Sequence, residues 1–196
     1  MTEFWLVRHG QTDWNAEQRL QGHTDIPLNA AGLAQARELA AHLAGLGQPG
    51  DLPYFSAIYS SDLSRAFQTA QCLAETLALA VQPHPGLREI HLGDWEGQVR
   101  TDIQARFPEL VAQRRTNPLE MRSPGGESAR ELLQRTARAA DEIARAYPSG
   151  RVLVVSHGIT LSALICLAKG YSLDEVYRHG PENAQPVVVH WPPTAL

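Results

Sequence analysis

The chain predicts an α/β fold, a three-layer α/β/α sandwich around a mainly parallel central sheet. Short apolar runs of buried-strand type recur at residues 4–7, 57–59, 152–155 and 187–190. Amphipathic helical periods separate them. Alternation of this kind implies crossover connections, which pair strands in parallel and put helices on both faces of the sheet. A third observation concerns function: several strand-type runs end in charged or imidazole side chains. Ligands of open α/β sheets collect where strands end.

The elements follow in order. Phe4-Trp5-Leu6-Val7 is apolar at every position, as a strand covered on both faces must be, and it breaks at Arg8-His9-Gly10. Asn29 is placed to cap a helix whose inward face carries Leu33, Ala36, Ala40 and Leu43. Residues 48–53 read as an irregular loop. The run at 57–59 leads into a helix with Ala66, Ala70, Leu73 and Leu77 on one face, opened by Ser61 or Asp62. Residues 98–123 are polar and carry Pro108 and Pro118, with Pro124 just beyond. They predict a helical excursion over the sheet edge, where a lid or cap would sit. Ser128-Ala129-Arg130-Glu131 has capping-box spacing and opens a helix with Leu133, Ala137, Ala140, Ala144 and Tyr147 on one face. The run at 152–155 turns through Ser156-His157-Gly158 into another helix. No repeat or low-complexity segment divides the chain, so residues 1–196 are expected to form a single domain with the excursion at about 98–123.

Composition narrows the function classes. With 196 residues, 43% hydrophobic and 19% charged, the chain can bury a sizeable core. A net charge of −4 and a pI near 6.0 disfavour nucleic acid and anionic membrane as partners. Any anion site must then be a local pocket of positive charge. No basic region followed by a long apolar stretch marks a signal peptide. No apolar run approaches the roughly 18 residues a membrane-spanning helix needs. Cys72 and Cys166 lie in apolar helical patterns and are too few for a disulfide scaffold, which points to a cytoplasmic setting. There is no paired Cys and no His-x-x-x-His, so neither metal nor cofactor is expected. A homodimer is left open.

The strand ends supply a set of groups suited to phosphoryl transfer. That reaction needs an in-line nucleophile, positive charge on the equatorial oxygens and a proton for the leaving oxygen. His9 can be the nucleophile. Arg8, Arg65 in the first turn of a helix, and a protonated His157 can hold the oxygens. Glu89, in the loop Leu87-Arg88-Glu89-Ile90-His91, is the natural proton donor if its pocket favours the protonated form. Each group alone is more often structural than catalytic; the order and the repeated strand-end placement argue against coincidence. His42, His84, His179 and His190 fit no motif and are expected to be surface or structural, and His91 is given no role.

The motifs identify a family. Leu6-Val-Arg-His-Gly-Gln-Thr-Asp-Trp-Asn15 resembles the signature of the histidine phosphatase superfamily, which includes the cofactor-dependent phosphoglycerate mutases. Gln21-Gly22-His-Thr-Asp-Ile-Pro-Leu28, Asn29-Ala-Ala-Gly-Leu-Ala-Gln-Ala36, Ser61-Asp-Leu-Ser-Arg-Ala66, Gly93-Asp-Trp-Glu-Gly97 and Val155-Ser-His-Gly158 match in order, covering nearly the whole chain. The resemblance implies a phosphoglycerate mutase-like fold and phosphorylation of His9. It places Arg8, Arg65 and His157 around the phosphate and makes Glu89 the proton donor. It adds Asn15, Gln21 and Gly22 as phosphate-binding positions, although Gln21 and His23 fall where members vary. Gly93-Asp-Trp-Glu-Gly97 and Pro124-Gly-Gly-Glu-Ser128 resemble the small phosphatase branch, so the expected activity is hydrolysis of small phosphorylated metabolites. Two alternatives remain: mutase-type transfer, to which the pair Arg114-Arg115 is similar but which reads here as a solvated helix face, and a catalytically silent binding module on the same fold. A silent member would lack the nucleophile or an arginine, and here all five catalytic positions are filled.

Overall fold

A computed structural model describes residues 1–46 and 54–192. The expected irregular loop at 48–53 lies outside the described residues. In chain order the elements begin with β1 (Thr2–Arg8), the short α1 (Asp13–Ala16) and α2 (Ala30–Ala44). Next come β2 (Ala57–Ser60), α3 (Ser64–Leu77), β3 (Val81–Pro83), α4 (Arg100–Arg106) and α5 (Pro108–Thr116). The chain continues through α6 (Ala129–Ala146), β4 (Arg151–Ser156), α7 (Gly158–Lys169) and β5 (Pro186–Trp191).

The five strands form one sheet in the order β3-β2-β4-β1-β5. All neighbours run parallel except β5, which pairs antiparallel with β1. Side chains alternate between the faces, and the two cores follow that alternation. Phe4, Leu6, Val152 and Val154 pack on one face against α6 and α7. Val7, Ile58, Leu153 and Val155 pack on the other against α2 and α3. The expected three layers are therefore present. A third cluster, with Ile90, Leu92, Trp95, Ile103 and Leu132, fixes the loop after β3 and α4 against α6 and α7.

Register is what positions the site. In the β1–β4 pair Arg8 stands opposite Ser156, and in the β2–β4 pair Ser60 stands opposite Val155. Three strands thus end at one level, and the residues that follow, His9, Ser61 and His157, emerge side by side.

Two of the three helix starts for which the sequence names a cap are capped as expected. Asn29 Oδ1 accepts from Gly32 N at 2.9 Å, and Ser128 with Glu131 forms a complete capping box. The start of α3 differs. Leu63 occupies the N-cap with no side-chain hydrogen bond, because Ser61 Oγ faces His157 Nε2 and Asp62 is drawn into an ion pair with Arg88. The short edge strand β3 carried no apolar run that could reveal it. Both cysteines are free. His84 and His179 pair with Glu142 and Glu175, and His42 and His190 are exposed.

Candidate active site

A cavity of about 250 Å³ opens at the carboxyl ends of the parallel strands. Seven of the eight positions expected from the sequence line it: Arg8, His9, Asn15, Gln21, Gly22, Arg65 and Glu89. His157 stands behind them, fully buried.

His9 follows β1 and is 3% exposed. Its Nδ1 lies 2.7 Å from the Gly10 carbonyl. A carbonyl can only accept, so Nδ1 carries the proton. Nε2 is left as a lone pair with no partner among the described residues. Burial, reinforced by the charges of Arg65 and Arg8, holds the imidazole well below its ordinary pKa of 6.5. His9 is therefore neutral at physiological pH. Its carbonyl accepts from Asn183 Nδ2 at 2.6 Å. Gly10 must be glycine because the backbone at Gly32, where α2 begins, occupies the place of a Cβ.

Arg65 sits in the first turn of α3 and is fully buried. Its Nη1 and Nη2 donate to the carbonyls of Thr24 and Gly22 at 2.9 and 2.7 Å. Its Nε donates to His157 Nδ1 at 3.2 Å. Desolvation outweighs the nearby carboxylates and pushes its pKa down to about 10, so it stays charged at pH 7. Accepting that proton on Nδ1 makes His157 a neutral imidazole with its hydrogen on Nε2, 2.8 Å from Ser61 Oγ. Burial, with Arg65 next, drives its pKa well below 6.5. The phosphoryl-transfer pattern in the sequence calls for a protonated His157. The structure differs because full desolvation beside a guanidinium disfavours a second positive charge. The two imidazole centroids are 5.2 Å apart.

Arg8 donates from Nη1 to the Pro181 carbonyl at 3.2 Å, while its buried Nε has no partner among the described residues. Buried donors are nearly always satisfied, so an orphan N–H on a cavity wall marks a place for an acceptor. A Cβ at Gly158 would lie 3.6 Å from the Arg8 guanidinium and 3.8 Å from Glu89 Oε2. Arg8 and Glu89 therefore flank Gly158. The carboxylate of Glu89 accepts from Ile159 N, Thr160 N, Thr160 Oγ1 and Ile90 N at 2.9–3.1 Å. It thereby caps the N-terminus of α7. Gln21 lines the cavity with a buried side-chain oxygen that has no partner among the described residues. Asn15 accepts from Thr12 N and Oγ1 and closes the capping box of α1.

Three supporting residues were not singled out from sequence. Glu96 accepts from His23 N, Thr24 N, Thr24 Oγ1 and Leu92 N at 2.6–3.0 Å. Burial pushes its pKa up, but these hydrogen bonds and His91 leave it lowered. It holds the loop whose carbonyls receive Arg65. At Gly22, with φ +52°, any Cβ would collide with this carboxylate. Arg135, on α6, donates to the carbonyls of Gly86, Arg88 and Glu89 at 2.7–3.0 Å and forms a two-point pair with Glu127. Glu127 in turn accepts from His91 N. This clamp fixes the loop that presents Glu89. The signal was available, since Glu96 and Glu127 lie inside motifs already noted, but their partners are distant in sequence. Arg114 also departs from the solvated face expected of it: it lies 5.6 Å from the Trp95 ring and 5.2 Å from the Tyr177 ring. Both rings replace water around the guanidinium. Arg115 is exposed as expected. Among the described residues no three His, Cys, Asp or Glu side chains are placed to hold a metal ion, and no helix is long and apolar enough to cross a membrane.

Residues 4–195 match the histidine phosphatase superfamily, branch 1. The chain belongs to that superfamily. Within it, phosphoglycerate mutase-like protein 4 of Arabidopsis thaliana is 39% identical over 164 residues, covering 83% of this chain and 69% of that protein. Phosphoserine phosphatase 1 of Hydrogenobacter thermophilus is 30% identical over 97% of this chain and 87% of its own length. Among solved structures, a mycobacterial glucosyl-3-phosphoglycerate phosphatase complexed with VO3 superposes with a TM-score of 0.85 at 31% identity, covering 96% of this chain and 92% of that one. The phosphoglycerate mutase-like fold expected from the motifs is the fold of this superfamily member.

Proposed function

We propose that this histidine phosphatase is a phosphomonoesterase for small phosphorylated metabolites, working through a phosphohistidine at His9. The observation that carries the reading is the His9 tautomer: Nδ1 is tied to the Gly10 carbonyl, so Nε2 is unprotonated on a residue that lines a cavity rich in arginine. The Nε2 lone pair attacks phosphorus, forming the N–P bond as the ester P–O bond breaks. Arg8 and Arg65 hold the equatorial oxygens. His157 accepts from Arg65 Nε and is held by Ser61, and so keeps Arg65 in place. Asn15, Gln21 and Gly22 complete the phosphate pocket.

Glu89 supplies the proton to the departing alkoxide. It regains that proton in the second half-reaction, so the enzyme returns to its starting form. In the second half-reaction the Glu89 carboxylate takes a proton from water, which attacks phosphorus and releases phosphate from Nε2. The α4–α5 segment acts as a lid over the single domain. The free thiols of Cys72 and Cys166 suit a cytoplasmic setting. Phosphoglycerate mutase-type transfer is the second reading, favoured by the mutase-like relative.

The test is phosphate release from p-nitrophenyl phosphate and a panel of sugar and hydroxy-acid phosphates, with vanadate as inhibitor. Turnover with vanadate inhibition is expected in the presence of EDTA. An absolute need for an added divalent ion, or no release from any ester, contradicts the reading.

A further inference from the structure

His23 stands between the segment that seats Arg65 and the loop that presents Glu89. Its backbone N–H donates to Glu96 Oε1 at 2.9 Å, and its neighbours Gly22 and Thr24 supply the carbonyls that receive Arg65. Its side chain reaches across 66 positions of sequence, and Nε2 lies 2.7 Å from the Glu89 carbonyl. That oxygen can only accept, so Nε2 carries the proton. Burial lowers the pKa of the ring and outweighs the opposing pull of this bond, which leaves a neutral imidazole with its hydrogen on Nε2. The His91 ring backs it, with centroids 4.8 Å apart. The same Glu89 carbonyl also accepts from Arg135 Nη2 at 2.7 Å. Arg135 ties that loop to α6; His23 ties it to residues 22–24.

From this geometry we infer that His23 is a positioning residue for the proton donor, tying the Glu89 loop to the segment that seats Arg65. The inference rests on the phosphatase reading. Glu89 is then fixed at both ends, its carbonyl by His23 and Arg135 and its carboxylate by the amides that open α7. The carboxyl and the guanidinium that holds the phosphoryl oxygens are both referenced to one short stretch of chain. A small displacement of a catalytic group is enough to slow the reaction. One neutral hydrogen bond adds little to the stability of the whole chain, and Arg135 stays on the same oxygen, so loss of the imidazole acts on alignment rather than on folding.

Three variants separate alignment from packing. His23→Gln can bring an amide N–H close to the place of Nε2, His23→Asn brings one only to the place of Nδ1, and His23→Leu offers no donor. His23→Leu should lower kcat for propyl phosphate about fivefold with KM little changed, and for p-nitrophenyl phosphate by under about twofold. His23→Gln should recover most of that loss, and His23→Asn should not. No loss in His23→Leu, equal losses on the two esters, or His23→Gln no better than His23→Asn overturns the assignment. Hydrogen exchange at the Ile159 and Thr160 amides, which donate to the Glu89 carboxylate, reads the tether without turnover. It should quicken in His23→Leu and return towards the wild-type rate in His23→Gln. Quickened exchange in His23→Leu, with a wild type that hydrolyses neither ester, would sink the phosphatase reading and leave the tether standing. Hydrolysis of both esters by the wild type, with kcat and exchange unmoved in His23→Leu, would do the reverse.

Discussion

At the inner end of the cavity Arg65 and His157 are fully buried and bonded to carbonyls, to each other and to Ser61, while at the outer end Arg100 and Arg178 stand exposed with few partners. Burial at the inner end costs solvation, which the Gly22 and Thr24 carbonyls offset, and the return is a fixed guanidinium in a water-poor setting. Charges held this way need little reorganisation during reaction. The outer arginines keep their hydration and their freedom. The inner end is thus built of fixed, bonded charges, and the outer end of hydrated ones. Substitutions at the two ends should differ in size and in kind.

The largest effect is expected at the nucleophile. His9→Ala should lower kcat by about 10⁴-fold or more, in the range seen when a covalent nucleophile is removed. Retention of more than a tenth of wild-type kcat would move the nucleophile elsewhere. Glu89→Gln comes next. General acid help is worth roughly 10²–10⁴-fold, so turnover of alkyl phosphates should fall by that much while p-nitrophenyl phosphate, with its good leaving group, falls far less. Equal losses on both would give Glu89 a binding role in place of the leaving-group acid.

Arg135→Met probes whether the inner end depends on its support. Arg135 never touches the cavity, yet it holds three carbonyls of the Glu89 loop. We expect kcat to fall about tenfold on alkyl phosphates with KM little changed, since a small misplacement of a catalytic group can cost that much. The loss should shrink on p-nitrophenyl phosphate, following the Glu89→Gln pattern; a loss equal on both substrates would mark a merely structural role.

The smallest effects concern pH. His9 and His157 both have folded pKa values well below 6.5. Between those values and 6.5 the unfolded chain binds more protons, so stability is full above 6.5 and declines as pH falls below it. A thermal melt should show Tm dropping from pH 7 towards pH 5, with a shallower slope in His157→Gln. For the same reason kcat/KM should hold to pH values well below 6.5 before His9 protonation removes it. On the alkaline side His157 is already neutral, so with p-nitrophenyl phosphate, which needs little help from the Glu89 proton, the limb should approach the pKa of Arg65, about 10, rather than lie near neutrality. A loss of kcat/KM centred between pH 7 and 8 would contradict the neutral assignment.

Legibility in the sequence followed the same division. The buried runs of β1 and β4 could be read because strands covered on both faces are apolar at each position. Their carboxyl ends led directly to Arg8, His9 and His157. The capping signals at Asn29 and Ser128 were equally plain. β3 was not, since a three-residue edge strand with one glutamine and one proline has no period to detect. The protonation of His157 was also hidden: it depends on Arg65 donating to Nδ1 across 92 positions of sequence. Arg135 and Glu127 illustrate the same limit, because their value lies in carbonyls that only the folded chain brings within reach. Arg114 looked solvated until Trp95 and Tyr177 closed around it.

The most direct test is chemical trapping of the intermediate. Wild-type protein mixed briefly with a radiolabelled phosphate ester and quenched in alkali should retain one base-stable, acid-labile phosphoryl group, mapping to the peptide that contains His9 and missing in His9→Ala. Label that survives acid, maps to another residue or persists in His9→Ala would contradict a phosphohistidine at the end of β1.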